Sequence, residues 1–254
     1  MRKLFCIPVA LLCFSFALGQ DKKPDKKDIP KVIMVAPLGV PAGALTKVTI
    51  RGLKLDTATE VRFFEPKVVV KLLKKEKSPV GNQQDPNKIG DSLVEAEVTI
   101  PPDLGADALG FTIVTPGGET AEHRLLINGD PAPVAEKKPN HGFRQAQPIQ
   151  VPQVIEGSIR NAQEVSVFRI EGKQGQRLVC EVHAARHGSA LDSVLTLYTA
   201  KGGIVATNDD HDGSADSRLE VTLPADGPYF LSLSDANDQG GPAYVYRLVV
   251  EAGK

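Results

Sequence analysis

The sequence predicts an all-β protein built from two β-sandwiches in series. Three observations carry this reading. Short apolar runs recur about every ten residues along 31–128 and again along 141–254, the spacing of sandwich strands. Turn formers lie between them, for the 254 residues include 23 Gly and 19 Pro. Where a run is long enough to show a period, the period is two: Val94, Ala96, Val98 and Ile100 alternate with Glu95, Glu97 and Thr99, and no stretch carries an apolar stripe of helical spacing. An apolar content of 41% suffices for two buried cores and exceeds that of a disordered chain. The formal charge of -1 argues against nucleic acid as a partner.

Residues 1–19 read as a secretory signal peptide, with Arg2 and Lys3, an apolar stretch from Leu4 to Leu18 and a small-residue end at Ala17 and Gly19. Leu12 ahead of Cys13 argues against lipidation there. No other run approaches the roughly 20 residues of a membrane span, so an exported chain, periplasmic or extracellular, is expected. Because Cys6 and Cys13 fall in the leader, Cys180 is left alone, and stability must come from buried cores rather than disulfides. Residues 20–30 alternate charge with proline and read as a tether.

The first domain, 31–128, predicts strands over 31–36, 45–52, 60–64, 68–72, 93–100, 110–115 and 122–127. Its polar stretch 78–92 reads as a long surface loop, a solvated insertion in preference to a binding loop. Residues 129–140, with Pro131, Pro133 and Pro139, read as a linker between domains that fold independently. The second domain, 141–254, predicts strands over 153–159, 165–171, 176–184, 193–199, 204–208, 218–223, 229–234 and 244–251, a set that fits a jelly-roll-like sandwich. Alternation along 178–184 turns Cys180 inward as an inert core thiol and His183 outward. Asp226 and Gly227 form a turn two residues before Tyr229, the arrangement of a tyrosine corner that ties a hydroxyl back to the backbone.

Four blocks, GSIRNAQEVSVFRIEGKQGQRLVCEVHA, GSALDSVLTLYTAKGGIVATNDD, LPADGPYFLSLSD and YVYRLVV, resemble in their order the bacterial pre-peptidase C-terminal domain over roughly 135–251. Upstream, PKVIMVAPLGVPAGALTKVTIRGLKL and FTIVTPGGETAEHRLLI resemble an immunoglobulin-like IPT/TIG domain. The pairing is similar to exported proteins of planctomycete-type bacteria. The resemblance implies a non-catalytic accessory module of the kind appended to secreted peptidases, although this chain contains no peptidase domain. Members often carry an Asp-x-Asp-x-aromatic segment. Here Glu164 and Ser166 stand at the two aspartates, ahead of Phe168.

For chemistry, the acidic turn 208–216 is the most informative segment. Asn208, Asp210, Asp212 and Gly213 fall at the first, third, fifth and sixth positions of a calcium-loop pattern, and Asp192 and Asp216 are candidate additions to a calcium site. Position twelve is Leu219, so the pattern is incomplete, and a solvated loop with Asx turns is the alternative. His183 and His187 lack the further ligands a zinc site needs. Ser189 and Asp192 beside His187 have the residue types of a hydrolase triad but no nucleophile elbow. The expectation is therefore a non-catalytic binding module for an extracellular protein or envelope component. Polysaccharide is disfavoured by the absence of Trp. The competing readings are a domain acting in trans with a secreted peptidase, and a hydrolase with an unrecognised site.

Overall fold

The computed structural model describes residues 29–82 and 84–253. The expected signal peptide, the expected tether up to residue 28 and the expectation for Cys13 lie outside the described residues. Within them the chain is all-β, two sandwiches in series.

The first sandwich comprises β1 (Lys31–Ala36), β2 (Gly39–Val40), β3 (Leu45–Leu53), β4 (Glu60–Phe63), β5 (Val69–Lys77), a one-turn helix α1 (Pro86–Ile89), β6 (Ser92–Thr99), β7 (Ala108–Thr115), β8 (Gly118–Glu119) and β9 (His123–Ile127). One sheet runs β1-β3-β6-β5, and the other β2-β9-β7-β4 with β8 on β7. The alternation of β6 holds: Val94, Ala96 and Val98 are buried with Ile50, Phe111 and Ile113, and the glutamates face outward. β5 runs to Lys77, beyond the expected end at 72. It is an edge strand with lysines at 71, 74, 75 and 77 and a bulge between Leu72 and Lys74, devices that discourage edge pairing and erase the alternation.

The second sandwich comprises β10 (Val134–Ala135), β11 (Gln147–Pro148), β12 (Gln153–Ser158), β13 (Ser166–Gly172), β14 (Arg177–His183), β15 (Ser193–Thr199), β16 (Ile204–Asn208), β17 (Arg218–Thr222), β18 (Gly227–Asp235) and β19 (Val245–Ala252). Its sheets run β10-β12-β19-β14-β17 and β11-β13-β18-β15-β16. The expected strands are present. β10 and β11 are additional two-residue strands that pair in parallel with β12 and β13, too short to show a period. β10 lies inside the stretch read as a linker, so that stretch is partly built into the second sandwich. Cys180 sits in the core with Phe168, Leu231 and Leu248, and burial pushes its thiol up to about 12.

Tyr229 makes the expected corner: its hydroxyl donates to the Ala225 carbonyl at 2.7 Å and accepts from the Ala225 amide at 3.1 Å. Tyr229→Phe removes both bonds from a buried site. A loss of about 1 kcal/mol is expected, read as a fall of about 2–4 °C in melting temperature.

The two sandwiches share a buried seam. In β1 the run Val32-Ile33-Met34-Val35 is apolar without alternation, and a bulge between Val32 and Met34 divides it. Val32 and Val35 enter the first core, whereas Ile33 and Met34 join the core of the second sandwich. Ile89 of α1 joins them there. Stretch 78–92, expected as a solvated insertion, thus carries a buried anchor. Asp85 caps α1 by accepting from Asn87 N, Pro86 opens it, and Arg51 Nε donates to the Ile89 carbonyl at 3.0 Å.

Candidate functional site

The seam opens at one side into a cleft of ≈ 670 Å³. The first sandwich contributes Lys31, Asp85 and Lys88 to its walls, and the second contributes Asp192, Asp235 and Tyr244. Both charges therefore meet across it. The wall of the second sandwich is the segment 185–192, which starts as a 3₁₀ turn (Ala185–His187) after β14.

Asp216, fully buried, holds that turn. Its Oδ1 accepts from the amides of Ala184 and Ala185 at 2.9 and 2.7 Å, and its Oδ2 accepts from Arg186 Nε at 2.6 Å. Ser189 Oγ donates to the Ala243 carbonyl at 3.0 Å and accepts from Leu191 N. Asp235 accepts from the amides of Asp192, Asn237 and Gln239, and Asp192 Oδ2 accepts from Asn237 Nδ2 at 3.1 Å. Burial, reinforced by the nearby charges of Asp210 and Asp235, pushes the Asp192 carboxyl above its ordinary value. Arg247 pairs with Glu156 and donates to Asn128 Oδ1 at 2.6 Å, linking the end of the first domain to β19.

The five residues read from the sequence as calcium ligands are not gathered into one group. Asn208 Oδ1 accepts from Arg218 N at 2.8 Å and its Nδ2 donates to the Asp210 carbonyl, so its side chain closes the turn. The Asp216 carboxylate serves the 3₁₀ turn, and Asp212 is solvent-exposed beside His211. The charge of Asp210 reaches Asp192. Among the described residues, no group of three or more His, Cys, Asp or Glu side chains is close enough to hold a metal ion. The cleft itself was not among the sequence-based expectations. Its signal was the unbroken apolar run in β1, the mark of a strand buried on both faces.

His183 and His187 lie with ring centroids 6.1 Å apart. Burial, and then the neighbouring His183, push His187 down to about 4, and burial also lowers His183. A histidine depressed in this way stays neutral in the folded chain while the unfolded chain binds a proton below about 6.5. Its contribution to stability is complete above that pH and is lost as the pH falls toward 4. Melts across this window should show a loss on the order of 1–3 kcal/mol, with a shallower fall in His187→Gln.

No family model matches the chain. Among the described residues, no helix is long and apolar enough to cross a membrane. Of solved structures, the chain is similar to the pre-peptidase C-terminal domain of a collagenase from Bacillus anthracis, at 14% identity, covering 45% of this chain and 99% of that one with a TM-score of 0.36. It is also similar to PliG of Aeromonas hydrophila, a periplasmic lysozyme inhibitor, at 17% identity, covering 42% and 99% with a TM-score of 0.32. In sequence it is similar to a probable subtilase-type serine protease of Deinococcus radiodurans, 37% identical over 118 residues that make up 44% of this chain. The chain spans 16% of that protein's length.

Proposed function

We propose that the chain is a non-catalytic binding module of an exported proteolytic system, in which two sandwiches locked at the seam hold a partner polypeptide in the cleft between them. The single observation that carries this reading is the engagement of segment 187–192. The Ser189 hydroxyl is committed to the Ala243 carbonyl, the Asp192 carboxylate accepts from Asn237, and His187 is depressed by burial. Residue types that elsewhere make a nucleophile, base and orienting acid here hold the wall of a cleft. That wall faces Lys31 and Lys88, so the cleft offers acceptors and donors to an extended chain in apposition. The likeness to a subtilase-type protease supports a peptidase, or the peptidase's substrate, as the partner.

The test pairs activity with binding. The purified chain should be silent on peptide, ester and glycoside panels, and Ser189→Ala should change nothing there. Lys88→Glu and Asp192→Lys should each weaken binding to a secreted subtilase or to an unfolded protein substrate by about tenfold, with the melting temperature held within about 2 °C. Activity abolished by Ser189→Ala would overturn the reading, as would binding that ignores both cleft variants.

A further inference from the structure

His183 and His187 each stand next to a place where the two sandwiches touch. Gly188 follows His187 directly and meets β1 so closely that a Cβ there would lie 1.8 Å from the Ile33 carbonyl oxygen and 3.6 Å from the Met34 Cα. His183 stands opposite Arg247 in the β14–β19 ladder, and Arg247 donates to Asn128 Oδ1 and lies against Gly39, both of the first sandwich. Both rings are partly buried, with centroids 6.1 Å apart.

The carboxylates around the pair are already engaged. Asp216 accepts from the amides of Ala184 and Ala185 and from Arg186 Nε. Glu156, on β12, pairs with Arg247. Glu181 Oε1 is 3.3 Å from His183 Nε2, but Glu181 is shared with Arg186 at 2.8 Å and Arg218 at 3.5 Å. Arg186 and Arg247 press on both imidazoles with positive charge. A proton added to either ring therefore joins a set of cations and gains no carboxylate of its own. Relief comes from withdrawing the 3₁₀ turn and Arg247 from the first sandwich, since each carries one of the inter-domain contacts. In the closed form burial, and then these charges, hold both rings below the ordinary histidine range. Once the seam parts, water reaches them and they return toward about 6.5. The parted form thus binds protons more tightly, and acid favours it.

We infer that the seam is an acid-sensitive latch: protonation of His183 and His187 parts the two sandwiches while each stays folded, and the cleft loses one wall. With His187 at about 4 when closed and near 6.5 when open, its protonation alone shifts the balance toward the open form by on the order of tenfold at pH 5, after allowance for its partial exposure.

The test places a thiol in the seam with Met34→Cys in the full chain, and follows its reaction with dithiodipyridine relative to a free thiol at the same pH. Ile33→Cys serves in its place should Met34→Cys not fold. Native Cys180, deep in the second core, reports unfolding of that sandwich in the same sample. Between pH 7 and pH 5 the relative rate at the seam thiol should rise about tenfold or more while Cys180 stays unreactive. With His183→Gln/His187→Gln on the same background the rise should fall below about threefold, because the pair can no longer take up protons. His187→Gln alone should give a rise between the two, and it decides the matter if the double variant does not fold. A seam thiol whose relative rate ignores pH would overturn the inference. So would an equal rise in the histidine variants, which would place the effect on the carboxylates, or reaction of Cys180 at the same rate, which would make the event general unfolding.

Discussion

Gly188→Val is expected to cost on the order of 3–5 kcal/mol and to part the two sandwiches. Gly188 ends the 3₁₀ turn with φ +83°, a backbone region that costs a β-branched residue dearly. A Cβ placed there would lie 1.8 Å from the Ile33 carbonyl oxygen, far inside any contact distance. That oxygen belongs to the backbone of β1, so relief requires β1 to move off the second sandwich, taking Ile33 and Met34 out of its core. Urea unfolding of the full chain measures the loss. A cost below about 1 kcal/mol would mean that the close approach of β1 to residue 188 is not maintained in solution.

Asp216→Ala should cost about 3 kcal/mol or more, because one buried carboxylate satisfies the amides of Ala184 and Ala185 together with the Arg186 guanidinium. Truncation orphans the Ala184 amide, which is buried, and releases the turn that forms the cleft wall. Asp216→Asn keeps one acceptor oxygen and should recover part of the loss. If Asp216 were instead a free metal ligand, alanine would leave stability in chelator unchanged, so a melt in chelator separates the two roles.

The fold was legible because alternation survives in β6 and β14, each with one face in a core and one outside. The two-residue strands β2, β8, β10 and β11 were not, since a period cannot be read from two residues. Two parts of the site were hidden for different reasons. The acidic turn 208–216 has the spacing of a cation loop, but spacing is silent on whether a backbone amide already holds each oxygen, as Arg218 N holds Asn208 and the 3₁₀ turn holds Asp216. Stretch 78–92 is polar in composition, and its one buried apolar side chain among the described residues, Ile89, is the one that docks on the other domain. The seam was written in β1 as an apolar run too continuous for a strand with a solvent face. The run predicts a strand, and its lack of alternation is what an inter-domain strand requires.

The seam joins the two sandwiches as one mechanical unit, without which the cleft has no second wall. Scanning calorimetry of the full chain tests it most directly. One transition is expected, with calorimetric and van't Hoff enthalpies that agree, resolving into two in Gly188→Val. Two separated transitions in the wild-type chain, unchanged by Gly188→Val, would contradict it.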